Sequence, residues 1–305
     1  MALKSNINVA FCIDRGALIG LHISLATLLL NLNPKHSIAI FLVHNGLSAS
    51  DLRVIAQTIA KSGKSAKLET ISFSRDTLSH FDKFVGGFMT YARLFLTETL
   101  TVDRVIYLDA DLIFGADVSE LWAIDTQDKC IGAVSWEARA VANDSQMFKR
   151  LGQDLDKPYF NAGVLLMNLN LLRERNHFVK LTNAAAELKG KLISCDQSLL
   201  NLCLFEEITH IPRRFNTTVS PRRNKIPNEK AKNRVLHLIA RPKPWDLLGR
   251  IHGQYAHYVS YRSLTALPKS EQSARFSLRS IFKLIRSFRA YVKCFYSRIS
   301  LSAAK

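Results

Sequence analysis

No GxGxxG follows the first strand-like run of this chain, and GxxxxGK[ST] occurs nowhere in it. The dinucleotide-dehydrogenase and P-loop readings therefore lose their strongest local support. Cysteine is sparse: Cys12, Cys130, Cys195, Cys203 and Cys294 are five, an odd number, widely spread and without CxxC. They read as reduced, mostly structural thiols of a cytoplasmic protein and not as a disulfide framework. A secretory leader is not expected either, because "MALKSNINVAFCID" enters a strand pattern directly, with no small-residue cleavage site after an apolar block. The most apolar stretch, residues 17–32, is too short to span a bilayer and carries His22, so it is expected as a buried helix. Any membrane contact is then peripheral.

What the chain has in excess is positive charge: 42 Lys and Arg against 25 Asp and Glu, a formal +17 over 305 residues. Such an excess points to anionic partners: nucleic acid, phosphorylated sugars or an anionic membrane. Its placement decides among them. Residues 213–234, "RRFNTTVSPRRNKIPNEKAKNR", read as a long basic surface loop. In the tail from 269 to 305, Leu278, Ile281, Phe282, Ile285, Phe288, Val292, Phe295 and Ile299 recur at helical spacing. Arg275, Arg279, Lys283, Arg286, Arg289, Lys293 and Arg298 fill much of the remainder, and Glu271 is the tail's one acid. A basic amphipathic helix suits an anionic membrane surface; the alternative is a helix docked on the domain with a solvated basic face. With no aromatic RNA-binding signature and no helix-turn-helix, nucleic acid is set aside as a partner.

The first hundred residues alternate strand and helix: strands at 7–13, 37–44 and 66–73, helices at 17–32, 51–61 (opened by Ser50) and 90–100, then a strand at 104–109. This alternation predicts an α/β fold with a mostly parallel sheet flanked by helices, whose ligands bind at the carboxyl ends of the strands. Asp14, Asp109 and Asp111 all fall at such ends. In "RVIYLDADLIF" the two aspartates stand at i and i+2, projecting to one side. They are either solvated residues of a turn or a pair that needs a cation between them. In "YFNAGVLLMNL" (159–169), Asn161-Ala162-Gly163 interrupts the strand pattern with small residues that permit close approach. "SCDQSLLNLCL" (194–204) reads as a helix start, with Ser194 as cap and Asp196 and Gln197 in the first turn, where Asp196 alone also suits the helix dipole. "RVLHLIARPKPW" (234–245) is a short strand running into a basic, proline-rigid turn, and a lone His237 there also suits a structural role.

Six segments in order, "VAFCIDRGALIGLHISLATLLLNL", "TYARLFL", "RVIYLDADLIF", "YFNAGVLLMNL", "CDQSLLN" and "VLHLIARPKPW", resemble the retaining glycosyltransferases of family 8. The likeness covers about residues 7–245 and is strongest to bacterial lipopolysaccharide core glucosyl- and galactosyltransferases. It implies a GT-A type Rossmann-like catalytic domain (1–258) and, after it, a basic membrane-associating region (259–305). The activity implied moves a hexose from UDP-glucose or UDP-galactose to a hydroxyl of a membrane-anchored glycan at the inner face of the cell membrane. Asp109, Asp111 and His237 would hold a divalent metal, manganese or magnesium, which suits a hard oxygen-rich site. Lys243 would contact the diphosphate as a point cation. The resemblance places Asp14 on the uracil with Cys12 and Ile13 beside it, Ala110 near the ribose, and Arg93 toward the donor sugar. It places Asn161, Ala162, Asp196 and Gln197 around the hexose. Gln197 stands where a double displacement needs a nucleophile, and a neutral amide is a poor one. The resemblance therefore favours front-face departure of UDP, with Gln197 stabilising and Asp196 as the alternative nucleophile.

Three positions depart from the family pattern. Ala240 occupies the usual glycine of His-x-x-Gly-x-x-Lys-Pro-Trp; if that residue needs a positive φ, alanine costs about 1 kcal/mol and weakens UDP binding. Arg15-Gly16 replaces a more usual polar pair, and either Glu137 or Trp136 takes the register of an acidic sugar-contacting position. The competing reading is a UDP-sugar-binding scaffold without turnover. Retention of Asp109, Asp111, Asp196, Gln197 and His237 together argues against it.

Overall fold

In the first strand, Ile7, Val9, Phe11 and Ile13 enter one core while Ala10 and Cys12 face another. A strand apolar on both faces belongs in the middle of a layered α/β fold. The computed structural model describes residues 6–302 except 75, 79–80, 82–87, 137–143, 157 and 224. Glu137 thus lies outside the described residues. The strands are β1 (Asn6–Asp14), β2 (Ser37–Asn45), β3 (Ala66–Ser72), β4 (Arg104–Leu108), β5 (Leu112–Phe114), β6 (Ile131–Trp136), β7 (Tyr159–Asn168), β8 (Ile208–His210), β9 (Thr217–Thr218) and β10 (Val235–His237). Seven form one sheet in the order β3-β2-β1-β4-β7-β6-β8, and β5-β10-β9 form a second. Among the strands of the large sheet, β7 alone runs against its neighbours. The expected α/β layering is present. Asp14 closes β1, and Asp109 follows β4 at the same end of the sheet.

Helix α1 (Leu18–Asn31) is buried over most of its length, as its apolar sequence requires. Its polar residues Ser24, Thr27 and Asn31 recur every three to four positions and so share one face. That face replaces a strand partner for β5. Ser24 Oγ donates to Leu112 O (2.9 Å) and accepts from Leu112 N (3.1 Å), Thr27 Oγ1 accepts from Phe114 N (3.1 Å), and Asn31 Nδ2 donates to Phe114 O (2.8 Å). The segment that leaves Asp109 and Asp111 is thereby anchored to the most buried helix. His22 shares a 2.7 Å bond with Thr58 of α2 (Ala49–Lys61), and burial lowers its pKa to about 4.

Several local expectations are corrected. Helix α2 is opened by Ser48, not Ser50: Ser48 Oγ accepts from Asp51 N while the Asp51 carboxylate accepts from Ser48 N, a reciprocal cap. The 90–100 segment is a 3-10 helix (Met89–Phe95) followed by one α turn (Leu96–Thr99). β7 continues unbroken through Asn161-Ala162-Gly163, and the irregularity falls in its pairing with β6, between Ala133 and Ser135. The helix Asp196–Cys203 is preceded by Cys195 at φ 50°, and Ser194 does not cap it. Residues 213–234 are more than a surface loop: Phe215, Asn216, Val219 and Ile226 are buried, and Thr217–Thr218 pairs with β10.

The tail forms two helices, Leu278–Arg286 and Phe288–Ser302, which meet at Ser287. The second docks through Tyr291 and Cys294, both buried, while Arg298 donates to the carbonyls of Ile251 (3.0 Å) and Pro221 (3.1 Å). The docked face is therefore not the apolar stripe foreseen from spacing. That stripe remains open at Leu278 (87% exposed), Phe282 (70%), Ile285 (64%) and Phe288 (61%), beside Phe276 (80%). Among the described residues no helix is long and apolar enough to cross a membrane.

Candidate active site

Strand register brings the site together. Leu108 pairs with Val164 across β4 and β7, so Asp109 comes opposite Gly163, whose carbonyl accepts from Asp109 N at 2.8 Å. Leu112 pairs with His237 across β5 and β10, and Leu238 N donates to Asp111 O at 3.0 Å. The two pairings aim Asp109, Asp111 and His237 at one point. His237 Nε2 is 3.2 Å from Asp111 Oδ1 and 3.6 Å from Asp109 Oδ2. Gly163 is needed for this approach. A Cβ there would meet His237 Cε1 at 2.2 Å and Asp109 Oδ2 at 2.8 Å.

The imidazole tautomer follows from its partners. Gly163 N donates to Asn161 Oδ1 (3.0 Å), which fixes the Asn161 amide, and Asn216 Nδ2 donates to the same oxygen (2.7 Å). Asn216 Oδ1 must then face His237 Nδ1 (3.0 Å), which also lies 3.1 Å from Asn161 Oδ1. Two acceptors at Nδ1 require the proton there, and the neutral ring presents its Nε2 lone pair to two carboxylates. Three acceptors facing one another repel unless a cation joins them. Asp111 Oδ1 is buried without a hydrogen-bond partner. Two carboxylates and an imidazole thus fit a divalent ion of the manganese or magnesium type. Lys243 Nζ sits 2.6 Å from Asp111 Oδ2. Burial works to raise the Asp111 pKa, but the Lys243 ammonium overcomes it and holds the carboxyl well below the usual range.

Beside the carboxylates, Arg93 is nine-tenths buried. Its Nη2 is 3.0 Å from Asp109 Oδ1, its Nε is 2.9 Å from Asp196 Oδ2, and Nη1 donates to Ala162 O. The guanidinium lies over the Tyr107 ring at 4.2 Å, and Tyr107 Oη donates to Asp109 Oδ1 at 2.7 Å. Asp196 also accepts from Thr90 Oγ1. Burial pushes the Asp196 pKa up to about 6, against the opposing pull of Arg93 and Thr90. Gln197 is held at both ends: Oε1 accepts from Asn161 Nδ2 (2.9 Å) and Ala162 N (3.1 Å), and Nε2 donates to Tyr159 Oη (3.1 Å).

At the end of β1, Asp14 Oδ1 accepts from Gly16 N (2.7 Å), so one carboxylate oxygen orders the turn that Arg15-Gly16 begins. Cys12 faces Arg93, and burial raises its pKa to about 12. Ile13 points into the opposite core, leaving its backbone alone for a ligand on the Cys12 side. Ala110 packs on α1 where Gly20 has no side chain; a Cβ on Gly20 would stand 2.5 Å from Ala110 O.

Ala240 does adopt a positive φ, 61°. Ala240→Gly is expected to raise stability by about 0.5–1 kcal/mol, most of the left-handed penalty. Urea denaturation checks it. Sequence reading missed Asn216, Tyr107, Thr90 and Asp246. Asp246 is buried, accepts from Lys243 N (2.9 Å), and pairs with Arg241 (3.1 Å) and Lys283 (2.7 Å), tying the Lys243 turn to the tail. The basic loop pattern masked Asn216, and nothing in the chain's periodicity marked Asp246.

A mostly parallel sheet with an Asp-x-Asp turn at a strand end fits the GT-A fold, and comparison with solved structures agrees on that fold. The galactosyltransferase LgtC, solved with donor and acceptor sugar analogs, matches with a TM-score of 0.70 at 23% identity, over 87% of this chain and 98% of that one. The family model "Glycosyl transferase family 8" matches residues 8–249, and the chain belongs to that family. The lipopolysaccharide 1,3-galactosyltransferase of Salmonella typhimurium is 25% identical over 251 residues, 79% of this chain and 74% of that protein. A Haemophilus influenzae relative is 31% identical over 164 residues, 53% of this chain, and the chain spans about half (49%) of its length.

Proposed function

We propose that this family 8 glycosyltransferase moves glucose or galactose from its UDP-sugar to a hydroxyl of a membrane-anchored glycan such as lipopolysaccharide core, with retention at the anomeric carbon. The convergence of Asp109, Asp111 and His237 beside Lys243 carries the reading. Those three would hold a manganese or magnesium ion, which when bound neutralises the diphosphate and acts as a Lewis acid toward departing UDP. Lys243 leaves Asp111 to meet the diphosphate. Asp14, Cys12 and the Ile13 backbone line the base site, and Ala110 contributes backbone near the ribose. Ala240, in the turn that carries Lys243, sets how closely that backbone nears the phosphates. Arg93, Asn161 and Ala162 bound the hexose pocket. Gln197, its amide locked in place, stabilises positive charge developing at the anomeric carbon. Asp196 is engaged by Arg93 and Thr90, which favours a role in holding Arg93 over nucleophilic attack. The anomeric C–O bond to UDP breaks, the acceptor oxygen bonds on the same face, and its proton passes to the departing phosphate oxygen.

The test is hydrolysis of a panel of UDP-sugars by the purified chain with and without Mn²⁺. Slow UDP release from one sugar, dependent on the metal and accelerated by a membrane glycan acceptor, names the donor. Metal-dependent UDP binding with no release from any donor, acceptor present, overturns the transferase in favour of a scaffold.

We further place the protein at the inner membrane face through the open stripe of the Leu278–Arg286 helix. Each Lys or Arg at an anionic leaflet adds about 1 kcal/mol. Phe282→Glu with Phe288→Glu is expected to abolish binding to vesicles containing phosphatidylglycerol while leaving UDP-sugar hydrolysis in solution unchanged. Equal vesicle sedimentation of the variant and the native protein would refute this placement.

A further inference from the structure

A second convergence of ligand-type side chains lies where β4 begins, away from Asp109. Cys130 directly precedes β6, and its carbonyl accepts from Asn168 N at the end of β7 (2.9 Å). His177 opens the helix His177–Glu187, and Glu207 ends the 3-10 turn that leads into β8. One ligand atom from each lies within 4.8 Å of the other two. Cys130 is fully buried and His177 is 6% exposed. Neither ring nitrogen of His177 has a hydrogen-bond partner, which is costly for a buried imidazole. Its Nε2 stands 3.6 Å from Glu207 Oε1, too far for a hydrogen bond.

We propose that Cys130 Sγ, His177 Nε2 and Glu207 Oε1 form a second metal site, for zinc or a similarly soft divalent ion, independent of the Asp109–Asp111–His237 centre. The donor types separate the two centres. A thiolate and an imidazole select zinc over manganese or magnesium, whereas two carboxylates with one imidazole do not. Arg175 supports the arrangement: its Nη1 pairs with Glu207 Oε2, which leaves Oε1 turned to His177, and lies 3.9 Å from Cys130 Sγ. On ligation the thiol gives up its proton to solvent; thiolate and carboxylate then offset the ion's two charges, and the solvent-facing Arg175 leaves one positive charge beside the site. Three protein ligands leave a fourth position for water, which the partly exposed Arg175 side of the cluster would admit. The ion would tie together three segments distant in sequence.

Cobalt(II) is the probe, added to the 305-residue protein stripped with chelator. One equivalent is expected to give a thiolate-to-cobalt charge-transfer band that zinc removes, and zinc should raise the thermal midpoint. Cys130→Ser should abolish the band, Asp109→Asn should keep it, and His177→Gln should weaken zinc binding by about tenfold or more. If Cys130→Ser does not fold, His177→Gln and Glu207→Gln carry the test. Absence of the band in the native chain, its survival in Cys130→Ser, or zinc affinity unchanged in both His177→Gln and Glu207→Gln overturns the site. Cys130 would then be a packed thiol and His177 a buried neutral ring.

Discussion

Asp109→Asn is expected to abolish manganese-dependent UDP release, with a loss of at least ~100-fold. A Lewis acid supplies several kcal/mol of charge stabilisation, and about 1.4 kcal/mol is a factor of ten in rate. The substitution preserves shape, so the loss isolates charge. Tyr107 keeps a partner at Oδ1, and Arg93 keeps Asp196, so the variant should fold. A readout without turnover is the Mn²⁺ paramagnetic resonance signal. Native protein should bind the ion and broaden that signal, while Asp109→Asn and Asp111→Asn leave it free. His237→Gln should fall between, because two carboxylates remain. Equal manganese affinity in native protein and Asp109→Asn would remove the metal reading altogether.

Arg93→Met is expected to be the most destabilising single change in the site, at about 3–5 kcal/mol, the usual cost of leaving a buried ion-pair partner alone. Arg93 is 5% exposed at its side chain and faces Asp196, itself 4% exposed. Without the guanidinium, burial acts on Asp196 with less opposition, and its pKa rises beyond the value of about 6 that it has beside Arg93. A carboxyl with a folded pKa above its unfolded value binds protons preferentially in the folded state. The resulting deficit is absent below the unfolded value near 3.8 and grows as pH rises through the folded pKa. Urea denaturation across that window should therefore show the variant approaching native stability in acid. Adding Asp196→Asn should recover much of the loss at neutral pH, since no buried charge then lacks a partner. A deficit independent of pH, or unrelieved by Asp196→Asn, would assign the effect to lost packing over Tyr107.

Asp109 and Asp111 stood out because they fall at a strand end, where ligands of an α/β sheet sit; His237 by itself suited a structural role, and only the family resemblance grouped it with them. The glycine of the family pattern at position 240 raised a positive φ as a condition, and Ala240 meets it. Asn216 was not legible. Its neighbours Arg213, Arg214, Arg222 and Arg223 gave the segment the look of solvent-facing loop, yet Phe215 and Val219 carry it inward. The tail was half legible. Apolar spacing identified helix and exposed stripe, but the face that docks uses Tyr291, Cys294 and Arg298, a mixed set that no hydrophobic period selects.

Local side-chain chemistry was enough to set the strand and helix alternation, the carboxylates at strand ends and the charge of the tail, because these depend on residues close in sequence. Three things waited on tertiary contact. The β5–β10 register brought His237, more than a hundred residues away, to Asp111. The amides of Asn161 and Asn216 assigned the imidazole proton. The burial of Arg93 between Asp109 and Asp196 turned two separate acids into one coupled set. Register, tautomer and burial are properties of what surrounds a residue, and those surroundings come from distant parts of the chain.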